Sequence, residues 1–242
     1  MITKSVVKDI QSLAGKKYRD QAGLFLAEGP KLVEELLRDC SHSIKAIYAL
    51  ESWIQQNQIV NSSIQVTLVT PAELERLSQL TTPHEVLAVV SKFPISPLQI
   101  GKGLTLVCCG IQDPGNFGTI LRTADWFGVR QLVCSPDTVD VYNPKVVQAT
   151  MGSIARLAVH YMDLDPWLNE QEVPIYAAIL NGQSVYEINR SQSGILLIGN
   201  EAKGVPASLL TKKVTGITIP KIGEAESLNA AVATGILLSW LS

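Results

Sequence analysis

Two rhythms of hydrophobic and polar positions run along the chain. In the first ninety residues, "SVVKDIQSL" sets Val6, Ile10 and Leu13 at helical spacing, and "PKLVEELLRD" predicts a helix with Pro30 at its first position, where a missing N–H costs nothing. "ESWIQQNQ" predicts another helix, over 51–58. "TPAELERLSQL" opens with Thr70, Pro71 and Glu73, the spacing of a capping box. Between these lie short apolar runs, "LFLAEG", "IKAIYAL", "IQVTLVT" and "EVLAVVSKF", which predict strands. Strands alternating with helices predict a small α/β layer.

A break follows. "FPISPLQIGKG", residues 93–103, has two prolines and two glycines and no period, which marks a linker. The expected boundary lies near residue 98, giving domains 1–97 and 98–242. In the second domain the strand-like runs are more hydrophobic: "LTLVCCGI", "QLVCS", "LAVHYM", "IYAAIL", "GILLIGN" and "GITIP". Near-continuous apolar strands predict a mostly parallel sheet covered on both faces. The last segment, "SLNAAVATGILLSW", is apolar all round when wound as a helix, so two sides must be covered. Its own sheet covers one, and a second subunit is expected on the other.

Composition narrows the class. With 242 residues, 46% hydrophobic and 17% charged, the chain can bury a core and is not of the disordered type. It has no run of about 18 apolar residues and no apolar signal core, so a soluble, cytoplasmic protein without a membrane span is expected. Cys40, Cys108, Cys109 and Cys134 form no CxxC pair and the three histidines are scattered, so no metal is expected. The net charge of −2 argues mildly against nucleic acid, yet residues 1–20 hold Lys4, Lys8, Lys16, Lys17 and Arg19 against Asp9 and Asp20. That excess reads equally as a phosphate-binding patch or as the solvated face of a helix.

In open α/β sheets, ligands bind at the carboxyl ends of the strands. Three strand ends carry loops rich in glycine and polar residues: "QDPGNFG", "NEAKGVP" and "KIGEAESLN". No GxGxxG follows a strand, "GNEAKG" is not a phosphate-binding P-loop, and no Ser-His-Asp set is evident, which disfavours standard dinucleotide binding and ATP hydrolysis. Asn116 sits where an N-cap would, ahead of a stripe of Phe117, Ile120, Leu121, Ala124 and Phe127. Arg122 points away from the stripe, with Trp126 one turn on. The planar guanidinium suits phosphate, and the same Arg-Trp pair would also serve as a subunit contact.

"DPGNFGTILRTADWFGV", "LLIGNEAKGVP" and "ITIPKIGEAESLNAAVATGILL" resemble, in order and spacing, the three motifs of the SpoU/TrmH branch of the SPOUT RNA 2′-O-ribose methyltransferases. "PKVVQATMGSIARLAV" resembles the segment between the first two motifs. "IQSLAGKKYRDQAGLFLAEGPKLVEELL" resembles that family's substrate-binding domain, itself similar to small ribosomal proteins that bind kinked RNA. The resemblance implies an α/β-knot fold with a deep trefoil knot, a homodimer, and S-adenosylmethionine bound by the knot loops. Ile198, Gly199, Asn200, Ile219, Pro220 and Leu228 would meet the cofactor. Arg122, Asn116, Glu201, Ser227 and Asn229 would be the catalytic set, with Arg122 either the base or a phosphate clamp. Lys4, Lys8, Lys16, Lys17 and Arg19 would meet RNA.

Two positions depart from the pattern: Lys221 stands where an apolar residue is usual, and Glu85 where many relatives have glycine. The chain ends at Ser242, directly after the last helix, without the extension that tRNA-modifying relatives carry, so 23S-type rRNA is the expected substrate. The same chemistry on tRNA, and a non-catalytic RNA-binding or assembly role on the same scaffold, stay open at this point. Ser227 and Glu226 also read as ordinary openers of the last helix.

Overall fold

A computed structural model describes residues 2–57, 59, 63–190 and 193–242. Residue 58, the end of the helix expected over 51–58, lies outside the described residues. The chain divides into two compact units, one formed by residues up to Pro94 with Asp140–Ala155, the other by Ile95–Val139 with Arg156–Ser242.

In the first unit, α1 (Lys4–Ser12), α2 (Lys16–Ala22), β1 (Leu24–Glu28), α3 (Pro30–Cys40), β2 (Ile44–Ala49), α4 (Glu51–Gln56), β3 (Gln65–Leu68), α5 (Pro71–Leu77) and β4 (Val86–Ser91) follow one another. The strands form a sheet in the order β1-β4-β2-β3, with β4 antiparallel to both neighbours and β2 parallel to β3. Ile10, Leu13, Leu74 and Leu77 of the α1 and α5 regions pack on Leu26, Leu87 and Val89 of the sheet. The capping box read from the sequence is present: the Thr70 hydroxyl accepts from Glu73 N, and Glu73 accepts from Thr70 N.

Arg19, expected in a basic surface patch, is not at the surface. Only 2% of it is exposed. Its guanidinium donates to the carbonyls of Leu13 (2.9 Å) and Ala14 (2.7 Å) and to Asp140 Oδ2 (2.7 Å). A guanidinium has five N–H donors and nothing to accept with, so it can tie a tight turn to a carboxylate. Lys4, Lys8, Lys16 and Lys17 are exposed. Lys16 pairs with Asp20, which also pairs with Lys92, and these two cations hold the Asp20 carboxyl down at about 2.

Asp140 belongs to a segment 121 residues further along the chain. Helix α7 (Pro144–Thr150) of that segment packs on β1. Tyr142 lies against Phe25, ring centroids 4.9 Å apart, and its hydroxyl accepts from Phe93 N. Gly152, with φ +95°, lets the backbone reach α3, because a Cβ there would stand 2.7 Å from the Glu35 Cβ.

The second unit holds β5 (Leu104–Cys109), α6 (Pro114–Trp126), β6 (Gln131–Cys134), β7 (Ala158–Tyr161), α8 (Leu164–Asn169), β8 (Ile175–Ser184), β9 (Gly194–Gly199), β10 (Val214–Thr218) and α9 (Ala230–Leu241). Its sheet has the order β10-β8-β9-β5-β6-β7, and every pairing is parallel. Val107, Val133, Ile195 and Leu197 pack with Leu164 and Leu168 of α8 in one core. Helices α6 and α9 pack against each other. Cys108, Cys109 and Cys134 are buried in strands, and burial pushes the Cys109 and Cys134 thiols far up, so they act as small hydrophobes. Among the described residues, no helix is long and apolar enough to cross a membrane.

Removing one partner of a buried ion pair leaves the other charge uncompensated. Asp140→Ala should therefore destabilise the protein by about 3–5 kcal/mol, measured as a fall in the urea midpoint. Asp140→Asn, which keeps an acceptor oxygen for Arg19, should lose less; equal losses would mean that the charge, and not the acceptor oxygen, is what holds Arg19.

Candidate functional site

The all-parallel sheet sends its loops to one edge. After β5 the chain enters α6 through "QDPGN". Asp113, not Asn116, is the N-cap: its Oδ1 accepts from Asn116 N at 2.7 Å. The expectation of an Asn116 cap is corrected by Pro114, which takes the first helical position and moves the cap one residue before it. Asn116 thus lies in the first turn with its side chain free. Its Nδ2 donates to Glu201 Oε1 (2.5 Å), and its Oδ1 accepts from Asn229 Nδ2 (2.8 Å). One amide therefore joins the loops that follow β5, β9 and β10.

Asn229 does two things. Its Oδ1 accepts from the backbone N–H groups of Ala231 (2.9 Å) and Val232 (3.3 Å), so it is the N-cap of α9. Ser227 and Glu226, the alternative openers, lie before the helix. Asn200 locks the loop after β9: Nδ2 donates to Gly110 O at 2.8 Å, and Oδ1 accepts from Ala202 N and Lys203 N.

Beside these loops lies a cleft of about 690 Å³. Ile198, Gly199, Asn200, Glu201, Ile219, Pro220, Ser227 and Leu228 all line it, as do Lys203, Lys221 and Glu226. Asn116 and Asn229 reach it through Glu201. Arg122 is exposed and does not line it, and neither does Trp126, which is 84% exposed.

The sequence reading missed one wall. Ala178, Ile179, Leu180 and Asn181 also line the cleft. They sit inside β8, where "IYAAIL" predicts an ordinary buried strand. The pairing of β10 with β8 jumps from Gly216↔Ala177 to Ile217↔Gln183, so residues 178–182 leave the ladder. The jump needs glycine at the crossing: a Cβ on Gly182 would stand 2.6 Å from the Gly216 carbonyl carbon. "NG" at 181–182 within a strand pattern was the available signal.

Comparison with known proteins agrees with this arrangement. Residues 103–239 match the SpoU rRNA Methylase family, and residues 4–88 match the MRM3-like substrate binding domain. Over 239 residues the chain is 34% identical to the 23S rRNA (guanosine(2553)-2′-O)-methyltransferase RlmP of Bacillus subtilis, spanning 97% of this chain and 95% of that one. The chain belongs to the SpoU rRNA methylase family. Among solved structures, a TrmH-family protein from Porphyromonas gingivalis superposes with a TM-score of 0.87 at 36% identity, covering 100% of this chain and 98% of that one. An rRNA methyltransferase from Sinorhizobium meliloti, in its AdoMet-bound form, gives 0.84 at 31% identity, covering 100% and 95%.

The cleft of this SpoU chain suits S-adenosylmethionine. Its volume is that of a small-molecule site, with apolar walls and a few convergent polar groups. Ile198, Ile219, Leu228 and Leu237 offer faces for an adenine, and Glu201 and Glu226 offer acceptors for a cationic ligand. Gly199 passes so close to the next turn that a Cβ would stand 2.1 Å from the Gly204 carbonyl carbon and 2.2 Å from Val205 N. Both are backbone atoms and cannot swing aside. Gly199→Ala should therefore open the loop 200–205, weaken cofactor binding about tenfold or more, and destabilise the fold by about 1–3 kcal/mol. Calorimetry and thermal melts would check both; wild-type affinity would show that this close passage does not shape the cleft.

Proposed function

We propose that this protein is a cytoplasmic homodimer that transfers a methyl group from S-adenosylmethionine to a ribose 2′-hydroxyl of 23S-type rRNA. The observation that carries the reading is the joining of three strand-end loops by Asn116 beside a cleft, in a chain similar along its whole length to rRNA 2′-O-methyltransferases. Residues 1–97 are the RNA substrate-binding part and residues 98–242 carry the methyltransferase, except that 140–155 packs within the first unit. The deep knot that goes with this family is part of the same reading.

When bound, S-adenosylmethionine supplies an electrophilic methyl group. The chain must hold the ribose hydroxyl in line and let its proton leave. Arg122 is the residue we assign to the RNA phosphate next to the target ribose, because a guanidinium keeps its proton and offers a planar fork. The phosphate or a water then takes the hydroxyl proton. Glu201, held by Asn116, and Ser227 on the cleft wall orient the ribose.

What one chain leaves uncovered supports the dimer. Arg122 lies six residues beyond Asn116 on α6, about 9 Å along the axis at 1.5 Å per residue. Trp126 on α6 and Val232 on α9 are 84% and 51% exposed. A second copy on this side would cover them and deliver its Arg122 to the neighbouring cleft.

The first test is transfer of labelled methyl from S-adenosylmethionine to total RNA from cells lacking the gene. Label in a 2′-O-methyl nucleotide of large rRNA is expected; label in tRNA would keep the chemistry and change the substrate. Arg122→Ala should lower the rate on the order of a thousandfold with cofactor affinity unchanged. Mixing Arg122→Ala with a Gly199→Ala chain should restore part of the rate if arginine and cleft come from different copies, and none if they come from one.

Lys16→Glu with Lys17→Glu should weaken RNA binding and flatten its salt dependence by roughly two phosphate contacts, with cofactor affinity intact. An unchanged salt slope would move the RNA footprint off residues 4–17.

A further inference from the structure

The helix that carries Arg122 also carries a competitor for it. In "LRTADW", Asp125 follows Arg122 by three residues, about 60° round α6 and about 4.5 Å along it. Side chains at that spacing are neighbours, and an arginine and an aspartate there pair on an ordinary exposed helix. Here they do not. Arg122 is exposed and, among the described residues, makes no hydrogen bond or ion pair.

Asp125 is held from elsewhere in the chain. Arg156 stands just ahead of β7, and its Nε and Nη2 both reach Asp125 Oδ2 at 2.8 Å. Arg130, just ahead of β6, has Nη1 3.7 Å from Oδ1. The Arg130 side chain is 69% exposed, that of Arg156 30% and that of Asp125 14%. Two short charge-assisted contacts in a mostly buried place outweigh one long exposed contact. They also outweigh an exposed pair with Arg122, which is weak at this spacing. Arg156 is therefore what decides where the carboxylate goes.

We propose that Arg156 is a positioning residue that acts through Asp125: by holding this carboxylate it keeps the Arg122 guanidinium free for the RNA phosphate beside the target ribose. The assignment rests on Arg122 meeting that phosphate, as in the proposed function. A loose carboxylate on the same helix would do harm twice. It would offer Arg122 a partner that is always at hand, and it would repel the phosphate that Arg122 is to meet. A clamp binds best with its donors empty, because any bond already made must break before the phosphate enters.

The same ion pair could serve only to anchor α6 to the chain that enters β7. Removal of Asp125 separates the two roles. An anchor is lost with either partner, whereas a restrained competitor does no harm once it is gone. Arg156→Ala combined with Arg130→Ala frees Asp125 and leaves no cation to take it. In that double variant the dissociation constant for rRNA and its KM should rise about three- to sixfold, with S-adenosylmethionine affinity unchanged. Adding Asp125→Ala should bring both close to wild type, and Asp125→Ala alone should bind rRNA as the wild type does. Arg156→Lys, which keeps a cation on Asp125, should lose less than the double variant. A triple variant as weak as the double, or weakened binding in folded Asp125→Ala, would overturn the inference in favour of an anchor.

The state of Arg122 can also be read without RNA. Phenylglyoxal adds to guanidinium groups and reacts more slowly with one paired to a carboxylate, and peptide mass spectrometry gives the rate at Arg122. The wild type, Asp125→Ala and the triple variant should react alike, and the Arg130→Ala, Arg156→Ala protein several times more slowly. Equal rates in all four proteins, or an unreactive Arg122 in the wild type, would overturn the inference. If the wild-type protein methylates no RNA, or Arg122→Ala methylates it at the full rate, the proposed function fails, while the labelling still decides whether Arg156 keeps Asp125 off Arg122.

Discussion

A wholly parallel sheet cannot place its loops freely. Each strand must be followed by a return over a face of the sheet, so every carboxyl end comes to the same edge. In the second unit this brings the chain after β5, after β9 and after β10 together although some 85 and 113 residues separate the partners in sequence. Convergence does not by itself hold loops still. Polar loops at a sheet edge are solvated, and each exposed hydrogen bond contributes little. What holds them is that the same few side chains serve twice. Asp113 and Asn229 cap helices, Asn200 ties its own turn to Gly110, and Asn116 joins the result. A group that is part of a helix terminus cannot drift without fraying the helix, so local stability is converted into precision at the cleft.

The first unit solves a different problem. Its sheet has few strands, and its turn at 13–15 closes on a buried arginine of α2. A buried guanidinium is expensive unless its donors are met, and here two carbonyls and Asp140 meet them. The carboxylate comes from the segment 140–155, which also supplies Tyr142 to the aromatic cluster around Phe25. The unit that resembles a substrate-binding domain therefore completes its core with chain from between β6 and β7. Its stability and that of the methyltransferase half are linked by covalent connection at three places, after Pro94, after Val139 and after Ala155.

Where the hydrophobic pattern decides the structure, the sequence was readable. The apolar runs "LTLVCCGI" and "GILLIGN" became adjacent parallel strands because both faces of that sheet are buried. The capping box at Thr70 and the Pro30 helix start formed as spacing predicted, because those signals are local. The readings that failed depended on partners far away. Arg19 looks like a surface cation from its neighbours Lys16 and Lys17, and only Asp140 reveals that it is buried. Residues 178–182 are strand, as read, and only the crossing of Gly182 and Gly216 shows that they leave the β10 ladder to line the cleft. Asn116 has a capping residue type, but Pro114 at the first helical position makes Asp113 the cap. Motif order identified the family; the hydrogen-bond chain that makes the motifs one site is long-range and carries no local trace.

The surface of α9 bears on how complete one chain is. Ala230, Ala231, Thr234, Leu237, Leu238 and Leu241 are buried, while Val232 is half exposed and Ser239 is exposed. An ordinary surface helix would carry charge on the uncovered side, and this one carries none from Ala230 to Leu241. On α6 the uncovered side has Arg122 and Trp126, a charge and a large apolar ring one turn apart. Solvent disfavours the ring and does not need the arginine. The apolar side of α9 and the exposed ring on α6 are therefore the surfaces on which the proposed dimer rests.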